Sequence, residues 1–199
     1  MHDATTPIRD FLDAAAAKQP TPGGGAVAAI AGALAAAMGG MVLNYSVAKK
    51  DLAAHSEHNA AALRQLGESR TKLLDLMAED QAAFAKLTAA RKAGDEPLPL
   101  VRKCIDVPRA IMRHATRTLQ LAIAVAPTSN AYLLSDLSVC GECAMAALRA
   151  GIHNVAANLG DLPTSEREAV EADMRAARED AVRLIRELTA AIAARQAKP

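Results

Sequence analysis

Residues 20–48 read PTPGGGAVAAIAGALAAAMGGMVLNYSVA, in which three glycines open about two dozen residues without a charge. Alanine is the strongest helix former, so the run predicts an apolar helix over about 25–48 that begins just after Pro22. At ~1.5 Å per residue this helix is long enough to cross a membrane. Its side chains are mostly small, however, and no basic cluster precedes it. We therefore expect a central helix that other helices surround closely, in a soluble protein.

The glycine turn at the start of this helix, Gly23-Gly24-Gly25, allows two interpretations. Three residues without side chains let a ligand approach the backbone closely. The free N–H groups and the positive end of the helix dipole would then face an anionic or carbonyl-bearing group. Alternatively, the three glycines only bend the chain into a packed helix. Both interpretations agree with the residues.

The composition narrows the class of protein. The chain has 199 residues, which suits one domain spanning 1–199 with a sizeable core. Aromatic residues make up 2% and tryptophan is absent, so we expect an all-α fold. Lysine and arginine total 23 against 22 aspartates and glutamates, a balance that gives no sign of a nucleic-acid surface. Three cysteines without a secretion signal suit a reducing cytoplasm.

The spacing of apolar residues, together with the Gly and Pro residues between the runs, predicts six helices. We expect Pro108 to kink the fourth helix or to divide it, and Thr164 or Ser165 to cap the last one. The helices form an up-and-down bundle around the small-residue helix. Their approximate ranges are 6–17, 25–48, 52–92, 98–126, 129–159 and 164–195.

Asp80 interrupts the apolar seam of the third helix. Asp80 lies three residues after Met77 and four residues before Phe84, so its carboxylate shares the helix face of these two apolar residues. A carboxylate on a core-facing stripe is unfavourable unless it is paired or hydrogen-bonded. One explanation is a bond to a neighbouring helix end or to a buried Lys or Arg. The other is a general acid or base at the rim of a cleft, with its pKa set by burial.

Two further carboxylates are candidates for chemistry. Asp106 has Arg102 four residues before it, so an ion pair on a solvated face explains it, and only its place before Pro108 hints at more. Asp136 begins a stripe of small residues against which another helix or a flat ligand could lie. The other members of this stripe are Val139, Cys143, Ala146, Ala150, His153 and Ala157.

We expect neither a metal nor a redox cofactor. Cys140 and Cys143 have the spacing of a redox pair, but the strand–helix context that gives this motif its meaning is missing. We interpret them as small buried hydrophobic residues. His55 and His58 lie three apart near a helix start, and the sequence supplies no third metal ligand beside them.

Short motifs along most of residues 8–160 resemble those of one known family. The most specific is Pro20-Thr21-Pro22-Gly23-Gly24-Gly25 with the small-residue helix after it. The other blocks are Ala48-Lys49-Lys50, Asp80 with Phe84, Asp106-Val107-Pro108, Asn130, Ser135-Asp136, and Asn154-Val155-Ala156-Ala157-Asn158. The chain thereby resembles the formiminotetrahydrofolate cyclodeaminases and methenyltetrahydrofolate cyclohydrolases, including the C-terminal half of formiminotransferase-cyclodeaminase.

The resemblance implies a dimeric helical bundle that acts on tetrahydrofolate carrying a one-carbon group, with no cofactor beyond that substrate and no nucleic-acid or membrane partner. It implies catalytic roles for Asp80, Asp136 and Asp106. Lys49 and Lys50 suit the glutamate carboxylates of the folate tail, and the glycine turn suits a pterin or carboxylate edge. The residues otherwise implied to bind substrate are Pro22, Gly23, Gly24, Gly25, Phe84, Asn130, Ser135, Asn154 and Asn158.

Two reactions of this family fit the carboxylates. In the cyclohydrolase reaction water adds to the cationic carbon that bridges two folate nitrogens, and Asp80 or Asp136 stabilises the cation and takes the proton. In the cyclodeaminase reaction a folate nitrogen attacks the formimino carbon and ammonia leaves, which needs a proton donor such as a carboxylic acid of raised pKa. We favour the cyclohydrolase, since the 199 residues include no formiminotransferase half. A non-catalytic folate-binding or dimerising bundle is the remaining alternative.

Overall fold

The protein is helical, and the computed structural model, which describes residues 1–197, contains no strand within them. The prediction of an all-α bundle is therefore confirmed. The six helices are α1 (Ile8–Ala16), α2 (Gly24–Val47), α3 (Ser56–Ala93), α4 (Leu98–Val125), α5 (Leu134–Ala156) and α6 (Thr164–Gln196). Short 3₁₀ turns occupy Lys50–His55, Ala126–Thr128, Ala131–Leu133 and Leu159–Asp161.

Three details of the predicted helices differ from the structure: the starts of two helices, the division of the fourth helix at Pro108, for which the alternative of a kink stays a prediction, and the cap of the last helix. The 3₁₀ turns delay the starts of α3 and α5 to Ser56 and Leu134. The α4 helix continues through Pro108, because that residue is buried in the packing between helices. Since proline has no N–H, the carbonyl oxygen of Cys104 receives no helical hydrogen bond from position 108. The α6 helix begins after Pro163 without a side-chain cap bond.

Small residues let α3 and α5 approach α2 closely. A Cβ atom placed on Gly32 would lie 3.1 Å from a methyl carbon of Leu73. A Cβ atom on Gly39 would lie 3.1 Å from Leu66 and 3.2 Å from the sulfur of Cys140. Larger side chains at these two positions would push the helices apart, because protein interiors are close-packed. The glycines in the middle of α2 therefore have a packing role.

The α2 helix is central, since α3, α4 and α5 all pack against it, but residues 1–197 leave one of its faces uncovered. Val27, Leu34 and Tyr45 are 47%, 54% and 64% exposed. By length and composition, α2 and the segment Ala131–Asp161 could each cross a membrane, with 56% and 44% of their most apolar windows buried inside the protein. Core helices of soluble proteins share these properties.

Candidate functional site

A cavity of about 340 Å³ lies where the start of α2 meets α3, α4 and the end of α5. This volume falls in the range of small-molecule sites. Seven residues predicted to act on substrate line it: Gly23, Gly24, Gly25, Asp80, Phe84, Asn154 and Asn158. The other lining residues are Pro20, Thr21, Arg91, Cys104, Pro108, Ala157 and Asp161.

The Asp80 carboxylate lies directly against the first turn of α2. A Cβ atom on Gly25 would be 1.9 Å from Oδ1 of Asp80, so only glycine fits this carboxylate position. The backbone N–H of Ala26, the third residue of α2, donates to the carboxylate. Asp80 thus caps a neighbouring helix from a position 55 residues further along the chain. Of the two structural explanations for Asp80, the helix end is the one found.

No Lys or Arg among residues 1–197 forms an ion pair with Asp80. Burial raises the pKa of the Asp80 carboxyl to about 6, while the hydrogen bond from Ala26 opposes that shift. The carboxyl therefore titrates close to neutral pH, where general acids and bases are most effective. Asp80 is a partly buried, titrating group that faces a cavity.

The opposite wall of the cavity carries amide groups from the end of α5. A Cβ atom on Gly24 would be 2.8 Å from Oδ1 of Asn154, so the glycine turn and this amide are in close contact. The side-chain amide of Asn158 donates to the carbonyl oxygen of Asn154 at 3.0 Å. Phe84, expected on the buried seam of α3, is 41% exposed. Its ring lies at the cavity, where a flat ligand could stack on it.

Three cavity residues were not predicted from the sequence. Arg91 in the last turn of α3 forms an ion pair with Asp161 beside α5. Cys104 of α4 completes the wall, and burial raises the pKa of its thiol, with a smaller contribution from the Asp80 carboxylate. The thiol therefore stays protonated. No periodic pattern could have indicated Arg91 and Asp161, because they are 70 residues apart in the chain.

The other predicted residues lie elsewhere, several of them at the opposite end of the bundle. Lys49 and Lys50 follow the end of α2, about 36 Å along the helix from Gly24. Lys49 pairs with Asp51 at 2.8 Å. The backbone N–H of Asn130 donates to Oγ of the buried Ser46 at 2.9 Å, which fixes Asn130 at the same far end.

Asp136, Ser135, Asp106 and Pro22 do not line the cavity. Asp136 lies in the first turn of α5, about 27 Å along that helix from Asn154. Asp106 is exposed, two residues and so about 200° around α4 from Cys104. The ion pair expected between Asp106 and Arg102 is wrong. Arg102 does not pair with Asp106, because its side chain extends to a carboxylate on another helix.

The partner of Arg102 is Glu166 on α6, whose carboxylate accepts two hydrogen bonds from Arg102, at 2.9 and 2.6 Å.

Pro22 is buried between Thr21 and Gly23, both of which face the cavity, and the Thr21–Pro22 peptide bond is cis. The lining of the cavity does not include Pro22, Asp106, Ser135 or Asp136. The roles predicted for these four residues therefore stay predictions.

The fold and the site define an all-helical protein that holds a titrating carboxylate against a glycine-rich helix start, in a cavity of small-ligand size. The family model described as formiminotransferase-cyclodeaminase matches residues 7–179. The methenyltetrahydrofolate cyclohydrolase of Methylorubrum extorquens is 33% identical over 162 residues, which are 76% of this chain and 78% of that protein. The chain belongs to the formiminotransferase-cyclodeaminase family.

A solved structure has the same fold. The crystal structure of formiminotetrahydrofolate cyclodeaminase from Thermotoga maritima superposes with a TM-score of 0.90 and 24% sequence identity. The match covers 96% of this chain and 97% of that one. The arrangement of helices that forms the cavity is therefore an architecture already observed by crystallography.

Proposed function

We propose that this protein is a methenyltetrahydrofolate cyclohydrolase, which adds water to the methenyl bridge of its substrate and forms formyltetrahydrofolate. The observation that supports this activity most is the Asp80 carboxylate, which is partly buried in the wall of the cavity, unpaired with any described cation, and has its pKa raised to about 6. A carboxylate in such surroundings attracts a cationic amidinium and accepts a proton from water. The relative from Methylorubrum extorquens, which bears this name, supports the same activity.

In the proposed reaction, water attacks the cationic carbon that bridges the two folate nitrogens. Asp80 accepts one proton of that water, and the carbon becomes tetrahedral with a hydroxyl group and two nitrogens. One carbon–nitrogen bond then breaks, and its electron pair stays on the nitrogen, which takes up a proton. The hydroxyl proton leaves as the formyl carbonyl forms, so one proton is released for each water consumed. Phe84 and the amide of Asn154 hold the substrate beside Asp80.

The cyclodeaminase reaction is the alternative chemistry for the same carboxyl. With a pKa of about 6, Asp80 is partly protonated near neutral pH and could donate a proton to departing ammonia. Both reactions pass through a tetrahedral carbon bonded to nitrogen. A non-catalytic folate-binding bundle is a weaker alternative, since such a bundle has no need of a partly buried carboxylate with a raised pKa.

The proposal also covers the location, the assembly and the cofactor requirement of the protein. We expect a soluble, cytoplasmic homodimer that uses no metal or redox cofactor and takes only the folate substrate. Lys49 and Lys50 remain candidates for binding the glutamate carboxylates of the folate tail. Within one copy these two lysines lie far from the cavity, so that role depends on the dimer.

Two assays on the purified protein test the activity. We expect the absorbance of methenyltetrahydrofolate to decay faster with the protein than in buffer alone, and formyltetrahydrofolate to accumulate. The second assay measures ammonia released from formiminotetrahydrofolate. Ammonia release without hydrolysis would replace the proposed activity by the cyclodeaminase alternative. If the protein bound folate but catalysed neither reaction, the non-catalytic folate-binding bundle would be the remaining alternative.

Replacing Gly24 with Val tests whether the glycine turn binds substrate. The new side chain displaces the Asn154 amide, whose Oδ1 is 2.8 Å from the added Cβ atom. Loss of one or two hydrogen bonds should raise the apparent KM about five- to tenfold. We expect the helical circular dichroism to stay unchanged. The matched control is Gly67→Val, since nothing lies within 4 Å of a Cβ atom there. An unchanged KM in a folded Gly24→Val variant would show that the glycine turn only bends the chain and does not bind substrate.

A further inference from the structure

Three side chains of the cavity form a row along α3. Asp80, Phe84 and Arg91 all line the cavity. With 3.6 residues per turn, positions 80, 84 and 91 lie within about 40° of one another around the helix axis. They differ in height, since Phe84 lies about 6 Å along the helix from Asp80, and Arg91 lies about 10 Å beyond Phe84. The row therefore presents an acid, an aromatic ring and a cation in a fixed order.

The proposed substrate carries complementary groups in the same order. Its reacting cationic carbon is bonded to the nitrogen of an aminobenzoyl ring, and the benzoyl group is joined to glutamate by an amide. Standard bond lengths place the α-carboxylate of that glutamate roughly 10 Å from the reacting carbon in an extended chain. Long side chains on a helix incline toward its N-terminus, which is the direction from Arg91 to Asp80. A guanidinium in that direction meets the α-carboxylate while Asp80 contacts the carbon.

Arg91 has hydrogen-bond donors available for such a ligand. Among the lining residues, all within the described 1–197, it is the one cation, whereas Asp80 and Asp161 are carboxylates. Nη2 of Arg91 donates to Oδ2 of Asp161, which uses one of the five N–H donors of the guanidinium. The side chain is 45% exposed. Asp161 therefore orients the guanidinium and leaves it donors for a second carboxylate.

We propose that Arg91 binds the α-carboxylate of the substrate's glutamate, with Phe84 against the benzoyl ring and Asp80 at the reacting carbon. This inference rests on the proposed function, because it takes the folate as the ligand. It directs the glutamate toward the C-terminal end of α3 and makes Asp161 a positioning residue that acts through Arg91. Because the contact lies away from the reacting carbon, it stabilises bound substrate and transition state equally and affects KM rather than kcat.

Arg91→Gln should raise the KM for methenyltetrahydrofolate about 10- to 100-fold with little change in kcat, because hydrogen bonds to a charged group are lost. Exposed ion pairs contribute little stability, so the melting temperature should stay close to the native value. The matched control is Lys92→Gln, since Lys92 is exposed beside Arg91 in the chain but does not line the cavity. It should leave both constants unchanged. A native KM in folded Arg91→Gln would contradict the proposal.

Removing the glutamate from the substrate tests whether Arg91 contacts that group. The analogue is methenyltetrahydropteroyl amide, which keeps the reacting carbon and the benzoyl ring but ends in an uncharged amide. The native protein should lose about 10- to 100-fold in kcat/KM on this analogue, whereas Arg91→Gln should treat both substrates almost alike. Asp161→Asn removes the same ion pair but keeps the guanidinium, so it should still distinguish them. Equal losses in native and Arg91→Gln proteins would assign the carboxylate to other residues.

Calorimetric binding separates this inference from the proposed activity. The probes are tetrahydrofolate and tetrahydropteroyl amide, which both lack the one-carbon group that reacts. A native preference for tetrahydrofolate that Arg91→Gln abolishes supports the inference even if neither folate reaction is found. Turnover without that preference would overturn the role of Arg91 and leave the proposed activity intact. Absence of both binding and turnover would overturn both.

Discussion

Asp80→Asn should lower turnover of methenyltetrahydrofolate by ~100- to 10,000-fold while the substrate still binds. The amide keeps the size of the side chain and can still accept the hydrogen bond from the Ala26 N–H. It cannot take a proton from water or neutralise the cationic carbon. For the native protein, kcat/KM should rise as the pH passes about 6, because the carboxylate is the form that acts as a base. Steady-state rates across the pH range measure both effects.

The same substitution should stabilise the fold at pH 8. The Asp80 carboxyl has a pKa of about 6 in the folded protein against 3.8 for the free group, so the fold holds the proton more tightly. Its contribution to stability is fully present below about pH 4 and is lost as the pH rises through 6. The side chain of asparagine does not titrate, so Asp80→Asn should gain about 1–3 kcal/mol over the native protein at pH 8 and nothing at pH 4.

Asp75→Asn is the matched control, since Asp75 is exposed on the same helix. It should leave turnover unchanged. A different result for Asp80→Asn would follow if the carboxylate neutralised a buried cation, because the stranded cation would cost about 3–5 kcal/mol of stability. Early melting with normal turnover per folded molecule would remove Asp80 from the chemistry and make Asp136 the stronger candidate. Chemical denaturation at both pH values separates these outcomes.

Local patterns predicted the parts of the site that depend on one helix. The uncharged run after the glycines predicted α2, and the charge at Asp80 in an apolar seam predicted a side chain with a special environment. Both signals need only a short window of sequence, the first through its composition and the second through helical spacing. The contact between Asp80 and Gly25 is different, because it joins two helices 55 residues apart in the chain. Only the packing of α3 on α2 defines it.

The features that the sequence did not predict are those that depend on which helix ends meet. Arg91 and Asp161 lie in a helix end and a 3₁₀ turn, where ion pairs follow no spacing rule. The α4 helix continues through Pro108, which is buried between helices, and such packing is not visible in a local window of sequence. Lys49 and Asp136 belong to the same family resemblance as the cavity residues, yet helices of this length place them far from the cavity within one copy.

Gly25→Ala should reduce turnover at least ~100-fold with little change in the melting temperature. A Cβ atom at position 25 would lie 1.9 Å from Oδ1 and 2.6 Å from Oδ2 of Asp80, so the carboxylate must move by more than 1 Å. A displacement of that size at a reacting group costs about 100-fold in rate. Crowding lowers stability by about 1–3 kcal/mol, and the better helix propensity of alanine offsets about 1 kcal/mol of that loss.

Combining Gly25→Ala with Asp80→Asn tests whether the two residues act as one unit. If the alanine harms catalysis only by moving the carboxylate, it should add little to the loss already caused by Asp80→Asn. Independent roles would instead multiply the two losses. Gly24→Ala is the neighbouring comparison, because its Cβ atom meets the flexible end of Asn154 and should affect KM more than kcat. Undiminished turnover in folded Gly25→Ala would show that the observed carboxylate position is not the one that the reaction needs.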